Sequence, residues 1–320
     1  MVYLIGAVSS VAVCEFCTAE SCRSCICFFR IFKMNIGYVC TNFNNSSFTK
    51  VAVETFCSSQ NHQYRVVVVD NGSDALEALK LKALFDDVSF VEVIYGVDNV
   101  GYFKGLNLGL AYLRAYHSEF RWIVIGNNDL EFPIDFCDSL TNCKNRLQEF
   151  MVVSPDIVTN DGVHQNPHVI KSISRIREIF YDIYYTNYYL GLFVQKIATK
   201  LHFMTDRADE LEWRVAQGIY QGHGSCYILT PRFFERFSEL WAPTFMMCEE
   251  FFLSRQLSEV GQQVFYDPSL RITHHCHGAI SRLPNRTRWE MARDAHRVYR
   301  QYVRGFKETL HNPPKVVQEV

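Results

Sequence analysis

From residue 35 onward the chain alternates buried-strand and amphipathic-helix patterns. Residues 36–41 (IGYVCT) are an almost unbroken apolar run, and residues 64–70 hold four consecutive valines, Val66 to Val69. Runs of this kind are what strands buried on both faces require. Residues 91–95 and 121–126 (RWIVIG) read as two more strands. Residues 47–58, 73–85 and 101–116 carry apolar side chains at helical spacing, the first opening on serines suited to an N-cap. This βαβα order predicts a mostly parallel sheet with helices on both faces.

The second half is less regular. Residues 150–154, 225–230, 263–266 and 270–273 read as strands. An aromatic stretch, 173–201, reads as helical, as do 249–261, closed by Gly261, and 284–306. No internal repeat, low-complexity tract or linker interrupts them, so one compact α/β domain with an appended helix is expected. On that final helix Ala292, Ala295, Tyr299, Tyr302 and Phe306 share one face, and Arg293, Arg297, Arg300 and Arg304 share the opposite one. Two readings stand: a surface helix packed on the core, or a helix offering its arginines to anionic lipid. The segment YDIYYTNYYLGLFV (181–194) invites the same pair of readings, core helix or membrane contact.

Composition changes the picture in a few places. A net charge of −2 over 320 residues speaks against nucleic-acid binding. No stretch reaches the roughly 18 to 20 apolar residues of a membrane span, and the run 3–13 lacks the basic flank of a secretory signal. Of 12 cysteines, Cys14, Cys17, Cys22, Cys25 and Cys27 crowd the first 33 residues. Their C-x-x-C pairs are separated by only four residues, fewer than structural zinc sites usually have. The remaining cysteines are scattered singly, as in proteins with reduced thiols, which points to a cytoplasmic location. Because the first strand follows Met34 directly, residues 1–33 are expected to be a disordered or non-native leader. Mass spectrometry of the protein from its own host tests this.

Three polar clusters follow apolar strands directly: Thr41-Asn42-Phe43-Asn44-Asn45, Asp70-Asn71-Gly72-Ser73 and Asn127-Asn128-Asp129. Ligands of open α/β sheets bind at the carboxyl ends of strands, so the three should converge on one rim. Singly, each is also ordinary turn and cap chemistry. No G-x-G-x-x-G follows the first strand and no G-x-x-x-x-G-K-[ST] occurs, which argues against a dinucleotide oxidoreductase and a P-loop enzyme.

The motifs VVVVDNGSD, NVGYFKGLNLGL, IGNNDLEF, MMCEEFFLSRQLSEVG and YDPSLRITHH occur in this order between Val66 and His275. Together they resemble family 2 glycosyltransferases of the GT-A fold, of the kind that builds bacterial capsule and O-antigen polysaccharides. The resemblance runs from Met34 to about Ser281. It implies a Rossmann-like GT-A domain over 34–283, with a nucleotide-binding half at 34–130 and an acceptor half at 131–283, before the basic amphipathic helix and tail at 284–320.

The resemblance also implies roles. Asp70 would hold the nucleoside of the donor, with Thr41, Asn42, Asn44, Asn71 and Gly72 nearby. Asn99, Gly101 and Asn107 match the family's N-x-G…N pattern, with glycines that let backbone approach the ligand. Lys104 among them either contacts phosphate or is solvated. Asn127-Asn128-Asp129 stands at the D-x-D metal motif, leaving Asp129 as the main anionic ligand of Mg²⁺ or Mn²⁺. His274 would complete that site, with His275 and His277 as alternatives. His223, Gly224 and His275 would line the acceptor or sugar pocket. Glu250, with Glu249 second, would be the base that deprotonates the acceptor hydroxyl.

The expected activity is therefore inverting transfer from a UDP- or dTDP-sugar to a saccharide or lipid-linked saccharide. Such an enzyme would be cytoplasmic or peripheral on the inner face of the membrane. Two other readings stand beside it: a catalytically inactive sugar-nucleotide-binding scaffold, and a nucleotidyltransferase. The latter would want a basic glycine-rich loop after the first strand, where this chain has Asn42-Phe43-Asn44.

Overall fold

The computed structural model describes residues 33–200, 211–276, 285–304 and 307–308. The leader (residues 1–32), Leu201, His277, Phe306 and the tail from 309 lie outside the described residues. The chain divides into a unit of residues 1–32 and a unit of residues 33–320, and only the second is described here.

Strands β1 (Asn35–Asn42), β2 (Gln63–Asp70), β3 (Val91–Tyr95) and β4 (Trp122–Asn127) form the expected parallel half, in spatial order β3-β2-β1-β4. The register puts Asn42 opposite Asp70 and Thr41 opposite Asn127, which aligns the three polar clusters along one edge. Helices α1 (Ser46–Phe56) and α2 (Ala75–Phe85) cover one face, and α3 (Tyr102–Tyr116) covers the other. The strand alternation explains this two-sided burial. Val66 and Val68 join the core under α1 and α2, whereas Val67 and Val69 join the core under α3.

Beyond β4 the sheet changes direction. A two-residue strand β5 (Leu130–Glu131) and helix α4 (Phe136–Leu147) precede β6 (Val152–Thr159). The aromatic stretch forms two helices, α5 (Arg175–Tyr184) and α6 (Tyr188–Lys200), rather than one. Then come β7 (Gln217–Ile219), β8 (Cys226–Leu229), α7 (Glu249–Ser258), β9 (Val264–His274) and α8 (Asn285–Tyr302). Strand β8 pairs antiparallel with both β4 and β6, while β6 and β9 are parallel. The two short strands expected at 263–266 and 270–273 are one strand, bulged where Asp267 and Arg271 face successive residues of β6.

Helix α8 packs its apolar side inward, with Tyr299 edge-on to Phe251 at 4.5 Å. Its arginines do not form one free stripe. Arg300 reaches Asp182 of α5 at 2.5 Å and Glu178 at 3.3 Å, so it is tied into the protein. No helix among the described residues is long and apolar enough to cross a membrane.

Candidate active site

A cavity of about 260 Å³ opens at the carboxyl ends of the parallel strands. Thr41 of β1, Asn71 after β2, Asn99 before α3, Asn127 at the end of β4 and Asn128 and Asp129 after it line the cavity, together with His223, Gly224, Ser225, Glu249 and Glu250. A wider depression of about 1050 Å³ lies at the opposite strand ends, around Asn35, Trp122 and Arg232. Open α/β sheets bind ligands at the carboxyl ends, so the smaller cavity is the candidate site.

The expected strand-end residues divide into those facing the cavity and those holding its frame. Asp70 is buried, and its Oδ1 accepts hydrogen bonds from Asn42 Nδ2 (3.0 Å) and Ser73 Oγ. The Oδ1 of Asn42 accepts from Thr49 at 2.8 Å, and Asn128 Nδ2 donates to Thr49 Oγ1 at 2.8 Å. Asn42, Asp70 and the Asn128 amide thus form a buried polar lattice joining the ends of β1, β2 and β4. Neither Asn42 nor Asp70 lines the cavity. Asn44 is in the left-handed region (φ 51°), and its Oδ1 accepts from Asp74 N at 2.8 Å, which fixes the loop after β1. Gly72 likewise sits against the backbone of Asp98 rather than at the cavity.

The N-x-G…N pattern is also mainly architectural. Asn71 Nδ2 donates to Asn99 Oδ1 and to Gly101 O, both at 3.0 Å. Gly101 has φ +94°, and a Cβ there would fall 2.0 Å from Phe245 O, so only glycine lets the start of α3 approach that backbone. Asn107 is spent on the Leu240 backbone, donating to Leu240 O and accepting from Leu240 N, each at 2.8 Å. Lys104 is exposed on α3 and does not line the cavity. Helical spacing places Asn107 and Lys104 on sides of α3 that sequence alone could not orient.

At the end of β4, Asp129 is 1% exposed, and its Oδ1 lies 3.3 Å from His274 Nε2. His274 Nδ1 faces Gln165 Oε1 at 2.7 Å. A carboxamide oxygen can only accept, so Nδ1 carries a proton, while Nε2 faces both Asp129 Oδ1 and Asn127 Nδ2, the latter at 3.4 Å. A proton on Nε2, or a cation between the two groups, satisfies the buried carboxylate. One carboxylate oxygen and one imidazole nitrogen suit a divalent ion that takes its other ligands from water and phosphate. Among the described residues, no group of three or more His, Cys, Asp and Glu is placed to hold a metal alone. His275 turns away: its Nε2 is 3.0 Å from Glu131 Oε2 and its Nδ1 is 3.2 Å from Asn160. It does not line the acceptor side as expected. Successive strand residues point to opposite faces, and the pairing of His274 with Leu130 decides which histidine faces the site.

Across the cavity, α7 begins with the two carboxyl groups. Glu250 Oε1 accepts from Gly224 N at 3.1 Å. Glu249 is 7% exposed and accepts from Met247 N at 2.9 Å. Burial, and then the charge of Glu250, raise its carboxyl well above the ordinary carboxylate range. Both carboxyl groups line the cavity, side by side at the start of α7. Met247 and Cys248 before them have φ of 76° and 66°. Two consecutive non-glycine residues in the left-handed region store backbone strain at the mouth of the site. Phe43, Tyr102, Ser225 and Met246 to Cys248 also line the cavity. No sequence signal assigned Phe43, Tyr102 or Met246 to Cys248 a role, because nothing in MMC announces that backbone conformation.

The fold is an open α/β sheet with its candidate site at the carboxyl ends of the parallel strands. The chain matches glycosyl transferase family 2 over residues 39–204 and belongs to that family. A search of curated proteins returns no match. Among solved structures it is similar to residues 1–349 of TarS from S. aureus, at 10% identity and a TM-score of 0.46, covering 76% of this chain and 60% of that one. It is similar to mannosyltransferase PcManGT from Pyrobaculum calidifontis, solved with GDP-Man and Mn²⁺, at 12% identity and a TM-score of 0.49, covering 87% and 66%. It is similar to GalNAc-T7, solved with UDP, GalNAc and Mn²⁺, at 10% identity and a TM-score of 0.46, covering 76% and 44%. The match thus spans less than two thirds of each of these three chains.

Proposed function

We propose that the chain is an inverting glycosyltransferase. It moves a sugar from a UDP- or dTDP-sugar to a hydroxyl of a saccharide or lipid-linked saccharide, in cell-surface polysaccharide synthesis of the capsule or O-antigen type. The observation that carries the reading is that Asp129, at a parallel strand end, and Glu250, on α7, line one cavity.

Glu250 acts as the base. Its carboxylate takes the acceptor hydroxyl proton as that oxygen bonds to the anomeric carbon and the bond from that carbon to the diphosphate oxygen breaks. The departing electron pair leaves with the nucleoside diphosphate. Gly224 N fixes one Glu250 oxygen. Thr41 and Asn99 offer polar groups to the donor, with Asn71 holding Asn99 in place. A Mg²⁺ or Mn²⁺ ion would be held by Asp129 and His274, and when bound it would neutralise charge on the diphosphate.

The test is a panel of UDP-, dTDP- and GDP-sugars with Mn²⁺, reading nucleoside diphosphate release on wild type and Glu250→Gln. Release with one donor, lost in the variant, supports the reading. Tight nucleotide binding with no turnover on any acceptor tried would instead favour a binding or scaffold role.

A further inference from the structure

Helix α5 is built inside out. Its two acids are engaged by α8: Glu178 is buried and accepts from Tyr299 OH, and Asp182 meets Arg300 and also His296, the latter at 3.1 Å. Its isoleucines face outward, with Ile176 68%, Ile179 49% and Ile183 45% exposed. At about 100° per residue these three fall within one sector of roughly 60°; Glu178 falls on the far side, and Asp182 flanks the sector with its carboxylate tied to Arg300.

Helix α6 repeats the arrangement. Gly191 lies against Trp289 of α8, where an added Cβ would meet the indole nitrogen at 2.8 Å. On the outward side Tyr189 is 73% and Phe193 61% exposed, with Ile197 four residues further on. The two helices pack on each other, α6 rests on α8, and α5 is tied to α8 through Arg300. Exposed apolar surface of this extent marks an interaction site.

Charge decides the partner. Residues 171–200 contain two acids, Glu178 and Asp182, and both are engaged by α8. The same stretch contains five basic residues, of which Lys171, Arg175, Lys196 and Lys200 are exposed. An apolar stripe bordered by cations and free of unengaged acids fits an anionic lipid surface. A symmetric pair of such faces would set like charges against each other.

We propose that α5 and α6 form a docking surface that seats the protein on an anionic bilayer through Ile176, Ile179, Ile183, Tyr189, Phe193 and Ile197. The sequence had offered both the arginines of α8 and the segment 181–194 for this role; Arg300 is held by α5, and the segment spans the end of α5 and the start of α6. The experiment is co-sedimentation of the full chain with phosphatidylcholine vesicles, pure or containing roughly a third phosphatidylglycerol. Wild type partitions to the anionic vesicles and much less to the neutral ones. The double substitution Ile179→Glu with Phe193→Glu lowers that partition at least about tenfold, with melting temperature and elution volume unchanged. Lys196→Ala with Lys200→Ala, which leaves the apolar stripe in place, weakens anionic binding alone and serves if the first variant does not fold. No binding of wild type, or equal binding of wild type and variants, overturns the proposal. So does a wild-type dimer that the glutamate substitutions convert to monomer.

Discussion

Glu250 and Gly224 are locked together: Gly224 N donates to Glu250 Oε1 at 3.1 Å, and a Cβ on residue 224 would lie 2.7 Å from the same oxygen. The position of the proposed base is therefore set by a residue outside α7. Glu250→Gln is expected to lower the transfer rate by roughly 10²- to 10⁴-fold with nucleotide affinity little changed. Gly224→Ala is expected to displace the carboxylate and lower kcat more than it raises KM. Steady-state kinetics on both variants, with nucleotide titration by calorimetry, checks this.

Glu249 predicts a pH dependence of stability. Its carboxyl is raised from 4.5 to about 8, by burial first and by the Glu250 charge second. Over that window the folded state binds a proton that the unfolded state has released. Stability from this group is therefore full at the acid end and falls as pH rises. Glu249→Gln removes the titration, so its melting temperature should gain on wild type as pH is taken from about 5 to about 8. Parallel Tm curves for the two proteins would refute the assignment.

The metal pair can be separated from its neighbour. Asp129→Ala and His274→Ala should each abolish the Mn²⁺-dependent part of the thermal shift given by a nucleoside diphosphate. His275→Ala should leave it in place, since that ring is engaged with Glu131. A loss with His275→Ala equal to that with His274→Ala would mean that the wrong ring has been assigned.

Asn107 is expected to act on stability alone. Asn107→Ala removes two hydrogen bonds to the Leu240 backbone and leaves those groups short of partners, at a cost of about 1–3 kcal/mol. Chemical denaturation should show that loss, and donor affinity should stay within a factor of about two, well under the tenfold that 1.4 kcal/mol represents. A selective loss of donor binding would return Asn107 to the ligand.

The parallel half was legible because β1, β2 and β4 are buried on both faces and so carry unbroken apolar runs. Helix α4 was not read, since only Phe136, Cys137, Leu140 and Leu147 are buried among its polar residues. Strands β5 and β7, of two and three residues, are too short to show a period. At the site, the clusters at strand ends were found, but the inward or outward aim of each side chain was not. Asp70 and Asn71 are adjacent in sequence, yet only Asn71 lines the cavity. Which of two neighbours faces a site depends on register and on partners distant in sequence, such as Ser73 for Asn42 and Leu240 for Asn107.

The contact between Gly101 and Phe245 has a consequence for how this enzyme could diversify. Tyr102 N donates to Phe245 O at 3.0 Å, so the start of α3 and the loop leading to the Glu249–Glu250 pair are fastened at their backbones. Under the proposed function, the loop that would have to vary to admit a new acceptor is thus held by the segment 99–102 beside the donor. Insertions between residues 244 and 248 would be felt at Asn99 and Asn71. New acceptor preferences in this lineage should therefore arise by side-chain replacement at Met246 and Met247, with the length of that loop unchanged.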